Sequence, residues 1–353
     1  MPTPGRIPHA DAAAGGVRLT LPLTAGSRTA EIVLEPAHCE RLFRGAAYGA
    51  IRDGRLRIGQ QVTARLVPGR VRDRHNGAIC LESCAVELID RRGALAARVE
   101  FPRVAFAAFV AARAVRLLVE SREAVGDGAL AYSLHATASA DEPFTVVIPA
   151  LPRLSVEALA ASALPRGAPE SDWVATFVSA AVGEGLEEIE RVSRASGVEA
   201  AGRIHARVGF DPARRCLVRV LERLVISRAT RASAVAVVST AASWAEFLAT
   251  APAGGAQAYS SVHTHLHTPD APGADGVPGD HLLASGASLR PDGEPCISIN
   301  DVVTHYTTFP DPLSAALIVS LFPDRRVVTL YGYTPRAQLR EEPGYWLLPD
   351  RAA

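Results

Sequence analysis

Short apolar runs that alternate with turn residues constrain the fold of this chain more than any other feature of its sequence. In the first 150 residues, apolar side chains recur with a period near two in GVRLTLPL, TAEIVLEP, LRIGQQVTARLV, GAICLESCAVELID, ALAYSLHATA and FTVVIPA. A period of two is typical of strands, in which successive side chains point to opposite faces of a sheet. Helices are predicted in AHCERLFRGAAYGAI and VAFAAFVAARAVRLLVES. This part of the chain is therefore predicted to be rich in β-structure.

The second half of the chain has a different pattern, in which helices and longer strands alternate. A helix is predicted in GEGLEEIERVSRASG, because Leu186, Ile189 and Val192 share one face at three-residue spacing and Gly197 provides a stop. Further helices are predicted in SWAEFLAT and DVVTHYTTF. Strands are predicted in DWVATFVS, EAAGRIHARV, RCLVRVLERLVIS, SAVAVVST, AQAYSSVHTHL, AALIVSLF and VVTLYGYT.

These patterns predict a mixed α+β fold, of the α/β kind in the second half, divided into two domains. A chain of 353 residues exceeds one ordinary core. We expect a β-rich N-terminal domain at 1–155 and a Pro-, Ala-, Gly- and Ser-rich linker at 156–170. Residues 171–340 are predicted to form a domain with helices packed on a curved mixed sheet, followed by a C-terminal tail at 341–353.

Charge and hydropathy disfavour nucleic-acid and membrane partners. Lys plus Arg and Asp plus Glu both number 37, so the chain has no net field that would attract a polyanion. The most apolar window, VAFAAFVAARAVRLLVE, is interrupted by Arg113 and Arg116 and is not expected to span a membrane. The main local basic cluster, which we interpret as a solvated loop, consists of Arg65, Arg70, Arg72 and Arg74.

Cysteine usage predicts a reducing compartment. The five cysteines are scattered and contain no C-x-x-C, so neither a disulfide framework nor a thiolate zinc site is indicated. The N-terminal stretch MPTPGRIPHADAAAGG has no apolar signal core. We therefore expect a cytoplasmic protein.

A cluster of alternating histidines in SSVHTHLHTP predicts a metal site. On a strand, His263 and His265 point to the same face and can share one ion. A hydrolytic zinc site needs three N or O ligands and an open position for water. Asp301 is the predicted third ligand, because it opens a predicted helix whose dipole favours a carboxylate in the first turn. Ser298 lies in the same turn, and Zn²⁺ is the predicted metal.

Hydrolysis of an amide also requires a base that takes a proton from the attacking water. Glu199 is the predicted general acid/base, because it begins a strand immediately after the helix that ends at Gly197. The small residues that follow it would allow another group to approach closely; they are Ala200, Ala201 and Gly202.

In chain order, these residues resemble the JAMM motif of the JAB/MPN metalloprotease family, E…H-x-H…S-x-x-D. The matching segments are 199–202 (EAAG), 263–265 (HTH) and 298–301 (SIND). In addition, DVVTHYTTFPDPLSAALIVSL resembles the stretch by which that family passes from its aspartate helix into the next strand. The resemblance covers residues 171–340.

The resemblance implies a zinc-dependent peptidase or isopeptidase that acts on a protein or peptide, such as the tail of a ubiquitin-like protein. It implies that His263, His265 and Asp301 ligate zinc and that Glu199 is the general acid/base. Ser298 would donate a hydrogen bond to the developing oxyanion, a role for which a preorganised donor is suited.

The sequence departs from the family pattern after the second histidine. Leu266 stands where the family usually has proline, and Ser298 follows His265 by 33 positions. The insert at 266–297 is longer than ordinary connections and is predicted to be either a lid or a disordered excursion.

Three other functions were weighed against this one. A JAB/MPN-like scaffold without catalysis is the main alternative. A PHP-type phosphoesterase also begins with H-x-H, but roughly ninety residues follow, too few for a barrel. The β-lactamase-like pattern H-x-H-x-D-H does not fit, because His267 and Thr268 occupy the last two positions.

Overall fold

In the computed structural model, the described residues form helices and four sheets, so the mixed α+β class is confirmed. The structure describes residues 17–25, 27–75, 78–106, 110, 113, 130–138, 144–147, 151–227, 230–232, 237–239, 241–251, 257–267, 295–309 and 311–349. Strands and helices are numbered here in chain order.

Two sheets form the first part of the chain. The six-stranded sheet contains β1 (Val17–Ala25), β2 (Arg28–Leu34), β4 (Val71–His75), β5 (Ala78–Leu81), β8 (Leu130–Tyr132) and β9 (Leu134–Ala138). The four-stranded sheet contains β3 (Gln61–Pro68), β6 (Ser83–Ile89), β7 (Leu95–Pro102) and β10 (Phe144–Val147). All strand pairs in both sheets are antiparallel.

Helix α1 (Glu40–Arg52) packs against the four-stranded sheet, and it confirms the helix predicted in AHCERLFRGAAYGAI. A 3₁₀ turn at Pro36–Cys39 precedes it, and another occupies Arg103–Phe106. The large buried side chains of α1 are Leu42, Phe43, Tyr48 and Ile51. Most of the second predicted helix, VAFAAFVAARAVRLLVES, lies outside the described residues.

The prediction of a loop for the basic segment is wrong in part, because Val71–His75 forms strand β4. This strand lies at the sheet edge, where charged side chains are tolerated on the open side. Arg65 lies in β3 instead, and its Nη2 contacts Glu87 Oε2 at 2.7 Å. Strand β7 is absent from the prediction, and GAICLESCAVELID divides into β5 and β6 of two different sheets.

A nine-stranded mixed sheet forms the second part of the chain. It contains β11 (Leu164–Gly167), β12 (Val174–Val178), β13 (Ala201–Asp211), β14 (Cys216–Ile226), β17 (Gln257–Leu266), β18 (Ala315–Leu321), β19 (Arg326–Tyr333), β20 (Leu339–Glu341) and β21 (Gly344–Leu347). Their order is β11-β21-β12-β14-β13-β17-β18-β19-β20. The parallel pairs are β12 with β14, β12 with β21 and β17 with β18. A separate antiparallel hairpin joins β15 (Thr230–Ala232) to β16 (Val237–Ser239).

Strand β13 pairs differently with its two neighbours. With β14 the register shifts between His205 and Ala206, so that one extra β14 residue is accommodated. With β17 the register is unbroken from Ala201, opposite His263, to Arg207, opposite Gln257. The irregularity therefore lies entirely on the β14 side of β13.

Among the described residues, the helices that accompany this sheet are α2 (Val156–Ala160), α3 (Ala180–Ser196), α4 (Ala241–Leu248) and α5 (Ile299–Thr308). Helix α3 confirms the helix predicted from Leu186 and Ile189, both of which are buried. The Ser179 side chain accepts a hydrogen bond from Val182 N at its start. At its end, Gly197 has φ 66°, a left-handed conformation that glycine adopts without a Cβ clash.

The nine-stranded sheet extends beyond both ends of the range 171–340. The segment expected to be a linker, 156–170, contains α2 and β11, and the segment expected to be a tail, 341–353, contains β21. Both differences arise from pairing, because β21 forms hydrogen bonds with β11 on one side and β12 on the other. Trp346 of β21 also stacks on Phe177, with ring centroids 6.3 Å apart.

Helix α1 lies where the two parts of the chain meet, and buried residues of both parts form one apolar cluster. Arg215 Nε donates to Arg52 O at 2.8 Å, and the Arg52 guanidinium lies 5.7 Å from the Trp173 ring centroid.

Among the described residues, no helix is long and apolar enough to cross a membrane.

Candidate metal centre

Strand β17, which carries His263 and His265, lies inside the nine-stranded sheet between β13 and β18. Both imidazoles are buried, and their Nε2 atoms are 2.9 Å apart. The alternation of side chains along a strand brings both rings to one face, as the sequence predicts. The sheet therefore presents two ring nitrogens to one point.

Asp301 meets these nitrogens from the first turn of α5. Its Oδ1 lies 3.1 Å from His263 Nε2, and its Oδ2 lies 3.1 Å from His265 Nε2. Ser298 is the N-cap, and its Oγ accepts a hydrogen bond from Asp301 N at 3.2 Å. In return, Ser298 N and Oγ donate to Asp301 Oδ2 at 3.2 and 2.5 Å. This capping box fixes the carboxylate as well as the start of the helix.

The three side chains could hold a metal ion. Their ligand atoms all lie within 4.8 Å of one another. Ligand atoms about 2.0–2.2 Å from a tetrahedral ion lie roughly 3.3 Å apart. The two Nε2 atoms are 2.9 Å apart, and each lies 3.1 Å from a different oxygen of Asp301, so the separations are near that spacing. Two imidazoles and one carboxylate form a donor set that leaves a fourth position open.

The electrostatics of the cluster keep the carboxylate ionised. Burial raises the pKa of Asp301, but contact with His263 and His265 outweighs burial and holds the pKa well below its usual value. For His263, burial is outweighed by the charge of Asp301, and the pKa is raised. For His265, burial and repulsion from His263 prevail over Asp301, and the pKa is lowered. A negative carboxylate beside at least one neutral imidazole is suited to binding a cation.

Glu199 lies near the His263, His265 and Asp301 cluster because it precedes strand β13, which pairs with the histidine strand β17. Ala201 lies opposite His263, and Thr264 N donates to Ala200 O at 2.9 Å. Glu199 lies two residues before Ala201, and its carboxyl group interacts electrostatically with His263 and Asp301. The Glu199 side chain is 7% exposed, and no hydrogen bond joins its carboxylate to another described residue. Burial, aided by the negative charge of Asp301 and opposed by His263, raises its pKa to about 8.

Thr264 lies between the two histidines, and its side chain points to the opposite face of the sheet. There it fixes the segment that carries Glu199 by hydrogen bonds. Its Oγ1 accepts a hydrogen bond from Ala200 N at 2.8 Å and lies 2.8 Å from Ser193 Oγ of α3. Ser193 Oγ also donates to Val198 O at 2.7 Å. Thr264 and Ser193 are fully buried, so these bonds are shielded from water. Neither residue is among those predicted from the sequence, although strand alternation assigns Thr264 to the face opposite the histidines.

Two further histidines, His305 and His267, lie near the cluster. His305 lies one helical turn after Asp301, with its Nδ1 3.3 Å from Ser261 Oγ. Burial, with the charge of Arg219, lowers its pKa to about 3, so it is neutral at physiological pH. His267 stacks on Phe322 with ring centroids 4.6 Å apart, so it packs against the protein at the end of β17. Burial and His265 lower the pKa of His267 to about 4.

Residues 268–294 of the insert, which include His281 and Asp270, lie outside the described residues. Asp311, another acid near the predicted ligands in sequence, forms an ion pair with Arg44 at 2.9 Å and is not part of the cluster.

No protein-family model matches this chain, and no curated protein matches it either. Fold and site together define a mixed α+β protein with a candidate His-His-Asp metal centre.

Proposed function

We propose that the protein is a zinc-dependent hydrolase of the JAMM type that cleaves a peptide or isopeptide bond. The observation that carries the proposal is the meeting of His263, His265 and Asp301, with the buried Glu199 carboxylate beside them. The resemblance in motif order supports the same activity. A protein or peptide substrate, including the tail of a ubiquitin-like protein, and a cytoplasmic location are parts of this proposal.

Each residue then has a distinct task. His263, His265 and Asp301 would hold Zn²⁺, whose Lewis acidity lowers the pKa of a bound water toward about 7. Glu199, which is buried and interacts electrostatically with His263 and Asp301, would be the group that accepts and returns a proton. It would accept the proton that water loses as its oxygen bonds to the carbonyl carbon, and would deliver that proton to the leaving nitrogen as the C–N bond breaks.

Ser298 contributes first through Asp301. Its hydroxyl donates to Asp301 Oδ2, which orients the carboxylate toward both histidines. The predicted role of Ser298 as a donor to the oxyanion would require this hydroxyl to turn toward the substrate, and it stays a prediction.

The decisive test compares zinc content and turnover in the full-length protein and its variants. We expect about one zinc per chain in the parent protein, close to none in the His263→Ala, His265→Ala double variant, and parent content in a His135→Ala control. Glu199→Gln should keep its zinc but lose about 10²- to 10⁴-fold in turnover, because only proton transfer is removed. Turnover is measured with a fluorescent amide of the ubiquitin C-terminus.

The outcomes separate the enzyme from the scaffold alternative. Equal and negligible zinc in the parent and double variant would favour the scaffold. Parent-level turnover in Glu199→Gln would reassign the base while leaving the metal centre in place.

A further inference from the structure

Arg41 of helix α1, within the predicted N-terminal domain, reaches the helix that carries Asp301. Its side chain is only 2% exposed. The guanidinium carbon lies 4.2 Å from the Tyr306 ring centroid and 5.6 Å from that of Tyr333. Its Nη1 donates to Tyr306 O at 3.4 Å, and its Nη2 donates to Ala105 O at 3.5 Å. One buried cation therefore connects α1 to the C-terminal part of α5.

Helix α5 is held at both ends. At the first turn, the Ser298 capping box fixes Asp301. Toward the last turn, the Tyr306 hydroxyl donates to Ala337 O and accepts from Leu339 N, both at 2.9 Å, while Arg41 covers the Tyr306 ring. A helix of ten residues is a rigid rod roughly 15 Å long. A tilt at the Tyr306 end is therefore transmitted to the carboxylate at the other end.

The charge of Arg41 is suited to this position. A cation is favoured near the C-terminus of a helix, where carbonyl groups lack helical partners. It is also attracted to the face of an aromatic ring, and the attraction grows when the pair is desolvated. Arg41 satisfies both preferences at α5, whereas Arg52, three turns further along α1, lies over Trp173.

We propose that Arg41 is a positioning residue for the metal centre, through which the N-terminal part of the chain holds the Asp301 helix in its ligating position. The inference rests on the proposed zinc function and adds a requirement to it. The first half of the chain then helps to position a ligand of the metal centre.

The test measures zinc affinity in the full-length protein by competition with a chromogenic chelator, together with the visible spectrum of the cobalt-substituted protein. We expect Arg41→Met to weaken zinc binding about tenfold or more and to alter the cobalt spectrum, as loss of an outer support does at metal sites. Arg41→Lys should recover most of the affinity, because it restores the cation. Arg52→Met is the matched control and should bind zinc as the parent does.

The outcomes distinguish this inference from the proposed function. If the parent protein binds no zinc, the proposed function fails and this inference fails with it. If the parent binds zinc and folded Arg41→Met binds it equally well, only the role of Arg41 is overturned. Should Arg41→Met not fold, Tyr306→Leu removes the same contact from the α5 side, and unchanged affinity in that variant overturns the inference.

Discussion

Thr264 illustrates how a single hydroxyl group can connect three segments around the site. Its Oγ1 accepts from Ala200 N and contacts Ser193 Oγ, while its neighbours in sequence are the two histidines. Glu199 precedes Ala200, so the position of its carboxylate depends on a hydrogen bond made by Thr264, which is not one of the predicted metal ligands.

We predict that Thr264→Val lowers the free energy of unfolding by about 1–3 kcal/mol, because the buried Ala200 N–H loses its acceptor. The shape of the side chain is nearly unchanged, so the loss reports the hydrogen bonds and not packing. Urea unfolding monitored by circular dichroism measures the effect. Thr264→Ser keeps the hydroxyl and should retain most of the stability; equal losses in both variants would contradict this account.

At the residue scale, the sequence predicts local relationships well. The shared face of His263 and His265 follows from strand period, and the closeness of Ser298 and Asp301 follows from one helical turn. The position of Glu199 depends on the pairing of β13 with β17, two strands separated by more than forty residues of chain. Nothing in a local pattern specifies which residues of two such strands face each other, so this register had to come from the structure.

At the scale of secondary-structure elements, Asp211 connects the end of β13 to the start of α2. It lies at the end of β13 and is nearly inaccessible to solvent. Its Oδ2 accepts from Val156 N at 2.7 Å, at the start of α2, and its Oδ1 accepts from Ala213 N and Arg214 N at 2.8 and 3.0 Å. The carboxylate therefore fixes both the β13–β14 turn and the entry to α2.

This arrangement predicts a dependence of stability on pH. Burial raises the pKa of Asp211, but the three backbone donors outweigh burial and lower it below the ordinary value of 3.8. A lowered folded-state pKa adds stability above pH 3.8, and this contribution is lost as the pH falls through the folded pKa. Asp211→Asn should therefore be less stable than the parent at neutral pH, and the difference should shrink in acid. Urea unfolding across this range is the measurement, and a constant difference would contradict the prediction.

Elements differ in how well the sequence predicts them. Helix α3 is predicted correctly because its apolar face and its terminal glycine are encoded within one short segment. Strands β4 and β21 are missed because each lies in a basic or Pro- and Gly-containing segment that resembles a loop. Strand β21 is stabilised by β11 and β12, which are distant in sequence, whereas β4 is the charged edge strand of a hairpin with β5.

At the scale of the whole molecule, a buried ion pair connects strands that are far apart in the chain. Arg219 of β14 is fully buried, and its Nη2 contacts Glu342 Oε1 at 2.5 Å and donates to Thr176 Oγ1 at 2.7 Å. Its Nη1 donates to the carbonyl oxygens of Leu313 and Ser314, both at 3.1 Å. The same guanidinium thereby joins β12, β14, the β20–β21 connection and the segment that leads from α5 into β18.

We predict that Arg219→Met destabilises the protein by about 3–5 kcal/mol, because it leaves the Glu342 carboxylate without its buried partner. The control is Arg207→Met, which breaks an ion pair with Glu222 in which both side chains are about one third exposed. That loss should be at most about 1 kcal/mol. Thermal and urea unfolding of both variants measure the difference, and similar losses would argue against a special role for the buried pair.

The global arrangement is only partly predictable. The sequence predicts the mixed class and the β-rich first half, because composition and period report on each segment separately. The contact of Arg41 with Tyr306 and the shared apolar cluster depend on packing between segments hundreds of residues apart. Arg41 and Arg219 therefore look like ordinary charged residues in the sequence, although the fold buries both.

The shift in pairing between β13 and β14 has an evolutionary consequence. The extra residue on that side leaves the pairing of β13 with β17 unbroken. A one-residue insertion in β17 or at the start of β13 would instead turn Glu199 and the histidines toward opposite sides of the sheet. Changes in length among descendants of this chain should accordingly accumulate on the β14 side and be rare between Glu199 and His265.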